Sequence, residues 1–219
     1  MKKLINFLQE GLKIGKNYKY KKRYYPENIK ELRTLIEQRL EKDKNADLND
    51  IDVSNIDTFV ETHGEFCPIG LFEGLDPYNI NISDWNTSNV KQMKRVFYGC
   101  KNLTCNISEW DVSNVETMSN MFYDCKKFDC DLSGWNLNKC KNLYGVFVRC
   151  YNFKGKGLEK WNVSNVVKFN HMFNGCKKLE VDLSKWKVHL LTNEYYYMFC
   201  DCDTLDKKQL IPSWYNGTV

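Results

Sequence analysis

Cysteine and histidine are the residue types here that could ligate a metal or serve as nucleophile and base; the chain has ten and three of them. A zinc site needs ligands in pairs at defined spacing. The close pairs are Cys200 with Cys202 and His63 with Cys67, and neither has a second pair at zinc-finger spacing. We therefore predict no metal site and no cofactor.

Catalytic patterns are equally scarce. The sequence contains no G-x-S-x-G nucleophile elbow, no phosphate-binding glycine loop and no H-E-x-x-H zinc motif. A nucleophile needs a base that a third group orients, and nothing identifies such a group for a Cys67–His63 pair. The other two histidines, His171 and His189, lie within the repeats described below. The sequence therefore predicts a protein that is not an enzyme.

The N-terminal segment carries most of the positive charge. Residues 1–25 hold eight Lys/Arg against one Glu, a charge of +7, so the remaining residues sum to −3 in a chain of net charge +4. Within residues 13–25 the cations alternate with tyrosines, a composition that pairs phosphates and stacks on bases. This segment supports an alternative function, RNA or DNA binding through a basic patch. The patch comprises Lys19, Lys21, Lys22 and Arg23.

Tryptophan recurs along the chain at intervals of 25, 25, 26 and 25 residues, and phenylalanine and cysteine recur at intervals of 25, 25, 26 and 26 residues. Self-similarity at such a period is typical of repeat proteins, in which each unit packs on its neighbours. The tryptophans follow the period without exception, so we assign them to the core. The three sets are Trp85, Trp110, Trp135, Trp161, Trp186; Phe97, Phe122, Phe147, Phe173, Phe199; and Cys100, Cys125, Cys150, Cys176, Cys202.

Each unit contains two hydrophobic patterns. Residues 103–108 alternate apolar and polar side chains, which predicts a short half-buried strand. From Val115 to Cys125 the apolar residues recur at offsets of 3, 6, 7 and 10, which predicts a helix. Ser113 and Glu116 have the spacing of a capping box at its start. We therefore predict strand-turn-helix units.

These units define the predicted fold class, an α/β repeat. We expect a leucine-rich-repeat-like solenoid of five strand-turn-helix units with a helical N-terminal cap. The cap is a helix from Pro26 to about Asp43, which would cover the first apolar face. Residues 1–45 then form the basic N-terminal segment and capping helices, and residues 46–219 form the solenoid, whose first unit has an insertion at 59–71.

The cysteines and the N terminus indicate where the protein resides. No apolar run approaches the ~20 residues that span a bilayer. Gln9 and Glu10 interrupt the apolar start, and no small-residue cleavage site follows. We predict a cytoplasmic protein, in which the periodic cysteines stay reduced and act as small apolar core residues.

The phrases Trp85–Val90, Trp110–Val115 and Trp161–Val166 closely resemble a known repeat. It belongs to the BspA-like leucine-rich-repeat family of bacterial surface lipoproteins, also called palindromic amphipathic repeat proteins. The resemblance covers about residues 24–202 and implies a leucine-rich-repeat-like fold, protein binding and no enzymatic activity. Many members are exported and adhere to surfaces, so a surface adhesin domain lacking its export signal is a second alternative.

Solenoids commonly bind partners on the concave face, where the outward residues of the strands form rows. Here those rows are polar and partly acidic, which suits a basic partner surface. We predict a non-catalytic protein–protein interaction module, a scaffold or an inhibitor of bacterial or phage origin. One version is a phage-encoded inhibitor of a nucleic-acid-handling enzyme. The predicted contact residues are Asn81, Asn106, Asp129, Asp131, Lys154, Glu180, Asp182, Tyr195 and Tyr196.

Overall fold

A computed structural model of the chain describes residues 23–62, 68–188 and 194–215. Regular secondary structure is sparse in these ranges, and most residues lie in turns and irregular segments. Strands β1 and β2 form an antiparallel pair within the predicted insertion. The elements are α1 (Ile29–Lys42), β1 (Val60–Thr62), β2 (Pro68–Gly70), a 3₁₀ turn (Leu158–Lys160) and α2 (Asp203–Lys207).

The predicted fold class is therefore wrong. The described part of the chain contains no strand-turn-helix unit, so it does not form an α/β leucine-rich-repeat-like solenoid of five such units. Successive units do lie against one another, but through single parallel bridges. These bridges join Thr58, Gln92, Thr117, Asn142 and Lys168 in that order. Turns stacked by backbone hydrogen bonds take the place of the predicted strands and helices.

The predicted helix fails because of two left-handed residues. In the unit of Trp110 they are Asn120 (φ 55°) and Asp124 (φ 59°), and a right-handed helix cannot pass through such residues. The Asn120 N–H donates to the Tyr144 carbonyl of the next unit at 2.8 Å, so it does not close a helical turn. The apolar stripe from Val115 to Cys125 is nevertheless fully buried.

The predicted capping box is also wrong. The Ser113 N–H donates to Oδ1 of Asp111 at 2.9 Å, which closes an Asx turn. The Glu116 N–H, which a capping serine would accept, donates instead to the Lys91 carbonyl of the preceding unit at 2.8 Å. The hydrogen bond to the Asp111 side chain therefore forms a turn where the sequence predicts the start of a helix.

The core consists of aromatic columns, and the prediction that the tryptophans are core residues is confirmed. Phe122 lies between Phe97 and Phe147, with ring centroids 5.5 Å apart on each side. The five periodic tryptophans are at most 4% exposed. Each indole N–H donates to a carbonyl of the preceding unit; that of Trp110, for example, donates to the Ile82 carbonyl at 3.0 Å. Each unit is therefore fixed on its predecessor by both stacking and hydrogen bonding.

The periodic cysteines form a second column. The Cys125 thiol donates to the Phe97 carbonyl of the preceding unit at 3.0 Å, and the other four make the equivalent bond. Burial raises the pKa of the Cys202 thiol to about 12. The nine cysteines within the described ranges carry no disulfide. These thiols are structural, because a protonated, buried thiol is a poor nucleophile.

Helix α1 closes the N-terminal end of the stack. Asn28 caps it by accepting the Glu31 N–H at 3.0 Å. Its buried face of Leu32, Ile36 and Leu40 joins the core. The Arg33 guanidinium donates to three carbonyls, those of Gly70 at 2.6 Å, Leu71 at 3.1 Å and Glu73 at 2.9 Å. This one side chain therefore satisfies carbonyl groups at the edge of the first unit.

The opposite end is covered by an aromatic pair. The Trp214 indole donates to the Leu183 carbonyl at 3.1 Å, which continues the bonding pattern of the five periodic tryptophans. Tyr215 packs edge-on against Phe199, with centroids 5.0 Å apart. The last apolar surface of the described stack is thus shielded by residues that follow α2.

Candidate functional site

Four of the predicted contact residues build turns. Each lies two residues before a serine and accepts that serine's backbone N–H, which is the geometry of an Asx turn. Their side-chain oxygens are therefore engaged locally, and the repeated Asn/Asp-x-Ser pattern has a structural explanation. The bonds are Asn81 to Ser83 at 3.5 Å, Asn106 to Ser108 at 3.0 Å, Asp131 to Ser133 at 3.0 Å and Asp182 to Ser184 at 2.8 Å.

Most acidic residues of the predicted face are paired with lysines of the same chain. The carboxylates and their lysines are Asp129 with Lys154 at 3.6 Å, Asp131 with Lys156 at 2.8 Å and Glu180 with Lys208 at 2.6 Å. The hydrogen bond from Lys156 and then that from Ser133 lower the pKa of Asp131 to about 2. Since these charges are largely balanced, the face offers a basic partner less attraction than its carboxylate count predicts.

The two predicted tyrosines lie elsewhere. The Tyr196 carbonyl accepts the His171 N–H at 2.9 Å, just as the Tyr144 carbonyl accepts the Asn120 N–H at 2.8 Å. Tyr196 therefore occupies the same repeat position as Tyr144. Both lie on the side of the stack that contains the left-handed residues. Tyr195 packs edge-on against Tyr215. The structure does not bring these tyrosines together with the acidic row.

Only part of the predicted basic patch can be located. Lys19, Lys21 and Lys22 lie outside the described residues, as do the conceivable Cys67–His63 pair and His189. Arg23 is described; its guanidinium lies 3.5 Å from the Asp52 carboxylate, and its side chain is 56% exposed. Nucleic-acid binding through the basic segment stays a prediction.

An open surface groove of about 410 Å³ carries aromatic and charged side chains. It runs across the side of the stack that contains the left-handed residues, and four successive units contribute to it. We call it the tyrosine groove. It is lined by Arg95, Tyr98, Asn120, Tyr123, Tyr144, Val148, Arg149, His171 and Asn174.

One end of the tyrosine groove is a fixed stack of side chains. The rings of Tyr98 and Tyr123 are parallel, with centroids 4.7 Å apart. The Arg95 guanidinium lies 3.7 Å from the centroid of the Tyr98 ring and forms an ion pair with Glu73. The hydrogen bonds that Arg95 donates to the Glu73 carboxylate raise the pKa of Arg95. Cation–π contact and ion pairing thus hold these rings in place before any partner binds.

The other end carries aromatic rings and an unpaired cation. Tyr144 contacts His171 edge-on at 5.7 Å, and His171 stacks on Tyr197 at 5.2 Å. Arg149 is exposed and forms no salt bridge with any residue of the described ranges. Its side chain passes over Gly175, where the position of an added Cβ would lie 3.5 Å from Arg149 Cγ. The guanidinium is therefore available to an acidic group of a partner.

Sequence reasoning missed the tyrosine groove because its residues alternate with the buried stripe. In the sequence they resemble the solvent-exposed side of a surface helix, and such residues say little about function. A weak signal was present, since Tyr98 and Tyr123 each follow a periodic phenylalanine directly. That signal required knowing that every unit makes the same turns at this point, so that these rings face outward in one column.

The residue types of the tyrosine groove are those found at protein interfaces. No group of three His, Cys, Asp or Glu within them is arranged to hold a metal ion. Tyrosine and arginine are enriched at the energetic centres of protein interfaces, because each combines a large contact area with polar groups. The class defined by the fold and groove is a turn-built repeat protein with an aromatic surface groove.

Comparison with family models identifies the family within that class. The model described as DUF285, Mycoplasma protein of unknown function, matches residues 27–157 and 131–219, and the chain belongs to this family. No curated protein and no solved structure matches the chain. None of the helices in the described ranges is both long and apolar enough to cross a membrane.

Proposed function

We propose that this chain is a non-catalytic protein-binding module and that its binding surface is the tyrosine groove. The single observation that carries the proposal is the groove's composition: stacked tyrosines at one end, and aromatic rings with the unpaired Arg149 at the other. The partner we expect places apolar or aromatic side chains on the rings and a carboxylate on Arg149. The resemblance of the repeat phrases to BspA-like proteins supports the same class of function.

The groove is a better candidate than the polar face predicted from sequence. Residues such as Asp131 and Glu180 are already bound to lysines, and exposed ion pairs contribute little when they are exchanged for new ones. Rigid aromatic side chains bind at a small entropic cost, because they lose few rotamers. The Tyr98–Tyr123 stack is ordered by its own contacts, which reduces that cost further.

Site-specific photo-crosslinking tests this proposal. A benzophenone amino acid would replace Tyr123 in the groove or, as the matched probe of the polar face, Asn106. Both proteins would be irradiated in native lysate treated with nuclease, and the adducts would be identified by mass spectrometry. We expect a discrete protein adduct from position 123 and none from position 106.

Substitutions then define the groove's contribution. The triple variant Y123A/Y144A/R149A should lose the adduct partner in affinity capture, whereas Y78A, at an equally aromatic exposed position outside the groove, should keep it. An adduct formed only from position 106 would assign binding to the polar face. Capture that depends on intact nucleic acid would replace the proposal with the alternative based on the basic segment.

A further inference from the structure

A second surface feature involves the residue immediately before each tryptophan. In chain order this position holds Asp84, Glu109, Gly134, Lys160 and Lys185, all of them exposed. Because equivalent residues of successive units stack, they form one column along a corner of the molecule. Two acidic residues stand at one end, two basic residues at the other, and a glycine lies between them. We call this column the corner ridge.

The position after each tryptophan repeats this polarity more weakly. Asp111 is the acidic residue in the first half, Lys187 is the basic residue in the second half, and asparagines occupy the other three units. The corner as a whole is therefore acidic toward the N terminus of the stack and basic toward its C terminus. The sign changes once, at the unit that contains Gly134.

The charges of the corner ridge are exposed and are not neutralised by other residues that the structure describes. The Ser83 hydroxyl donates to Asp84 at 3.1 Å, and the Ser108 hydroxyl donates to Glu109 at 3.2 Å. The four charged side chains form no salt bridge with any other residue in the described part of the molecule. This distinguishes them from Asp131 and Glu180, whose charges are paired.

Two ridge neighbours carry opposite charges, but both are engaged locally. Glu159, beside Lys160, accepts the Gly157 N–H at 3.0 Å. Asp182 lies near enough to Lys185 for a weak pKa-lowering effect, but its main bonds are to Ser184. Neither carboxylate therefore cancels the basic half of the ridge.

The middle of the ridge is an indentation. Gly134 has no side chain and lies beside a groove of about 410 Å³ that also includes Glu109 and Asp131. An added Cβ at Gly134 would lie 3.3 Å from the Ser108 carbonyl oxygen. The absence of a side chain at this one position lets another surface approach the ridge at its centre.

A column with this order of charges complements itself when one copy is turned end over end. A two-fold axis that passes between two ridges at Gly134 places Glu109 opposite Lys160 of the other copy. The same operation places Asp84 opposite Lys185, and both pairings occur twice. Parallel ridges would bring like charges together, and a shift by one unit would misalign the pairs, so charge selects the antiparallel arrangement.

We infer that two copies of this chain associate through the corner ridge as an antiparallel dimer. The tyrosine groove does not include the ridge residues, so the dimer presents two grooves to partners. Because exposed ion pairs are individually weak, the association depends strongly on salt. The dimer does not depend on the proposed function of the groove.

Charge exchange in mixed samples tests this inference. The variant D84K/E109K has a wholly basic ridge, and K160E/K185E has a wholly acidic one. Sedimentation equilibrium in about 20 mM salt, where screening is weak, should show wild-type dimers and monomers of each variant. An equimolar mixture of the two variants should recover dimers, since acidic and basic ridges then face each other.

Three controls make the result decisive. K127E/K178E changes the same number of lysines at another exposed position and should leave the wild-type dimer intact. Raising the salt to about 0.5 M should raise the wild-type dissociation constant about tenfold or more, because the Debye length falls to a few ångströms. Circular dichroism should show that each variant is folded. A wild-type monomer at all concentrations, or a mixture that stays monomeric, would overturn the inference.

Discussion

The position of Phe122 is occupied by phenylalanine in neighbouring units on both sides, whereas the next position changes from Tyr123 to Val148 to Asn174. The first position faces the core and stacks on identical rings; the second faces the tyrosine groove. Identical residues are required where each unit must fit its predecessor. Variation is permitted where the side chain does not have to fit the preceding unit, and the proposed recognition surface lies on such variable columns.

The largest loss of stability should come from removing one ring of an interior aromatic column. Phe122→Ala removes a fully buried ring that stacks on rings in both directions, and we expect it to lower the free energy of unfolding by about 3–5 kcal/mol. Its outward neighbour provides the control: Tyr123→Ala should cost about 1 kcal/mol or less. Urea denaturation followed by tryptophan fluorescence measures both. Equal losses would contradict the distinction between interior and surface columns.

A somewhat smaller effect should follow from uncapping the first unit. Arg33→Met leaves the Gly70, Leu71 and Glu73 carbonyls without their guanidinium donor, and we expect a loss of about 2–4 kcal/mol. Glu37→Gln removes an ion-pair partner of Arg33 and leaves the three carbonyl bonds intact, so it should cost less than about 1 kcal/mol. If both variants denatured at the same urea concentration, the capping role of Arg33 would be refuted.

The asparagine hydrogen bonds between turns of successive units should contribute less to the free energy of unfolding than the Arg33 bonds do. The Asn114 side-chain amide donates to the Ser88 carbonyl of the preceding unit at 2.7 Å, and Asn89 and Asn165 make the equivalent bond. Asn114→Ala removes this bond and the exposed one that Lys139 Nζ donates to Asn114 Oδ1, and we expect it to lower the free energy of unfolding by about 1 kcal/mol. Thermal denaturation of Asn114→Ala beside Asn55→Ala, an exposed asparagine at the same repeat position that makes no side-chain hydrogen bond within the described residues, tests the contribution of these bonds. No difference between them would mean that these bonds are not stabilising.

The smallest effect should be a pH dependence of the polar face. Lys156 and Ser133 hold the pKa of Asp131 at about 2 in the folded chain, below its unfolded value of about 4. The carboxylate therefore stabilises the fold above pH 4, and this contribution is lost as the pH falls through 2. Asp131→Asn keeps the turn-building oxygen, so its melting temperature should depend less on pH between 4 and 2. An unchanged pH profile would contradict the assignment.

The sequence carried most of the information about the core and little about the backbone. The period located Trp110 and Cys125 in the interior, and the alternation in residues 103–108 placed Leu103 inside, as observed. The helix between Val115 and Cys125 could not be excluded from spacing, because a stack of turns can bury residues at the same offsets. The helix is excluded by the left-handed backbone at non-glycine residues. No local sequence pattern predicts that conformation.

The candidate site was less predictable still. Asn106 and Asp131 were selected because they are polar and regularly spaced, but regular spacing in this chain reflects a turn that every unit must make. Arg149 and Tyr144 were overlooked because they do not recur.

Quantitative affinity capture with two matched variants tests the central proposal most directly. Y123A/Y144A/R149A alters the tyrosine groove, and N106A/D131N/E180Q alters the polar face at a comparable number of exposed or half-exposed positions. Captured protein would be measured by isotope-labelled mass spectrometry from nuclease-treated lysate. We predict that the groove variant loses the partner at least tenfold while the face variant retains it. Retention by the groove variant together with loss by the face variant would contradict the account.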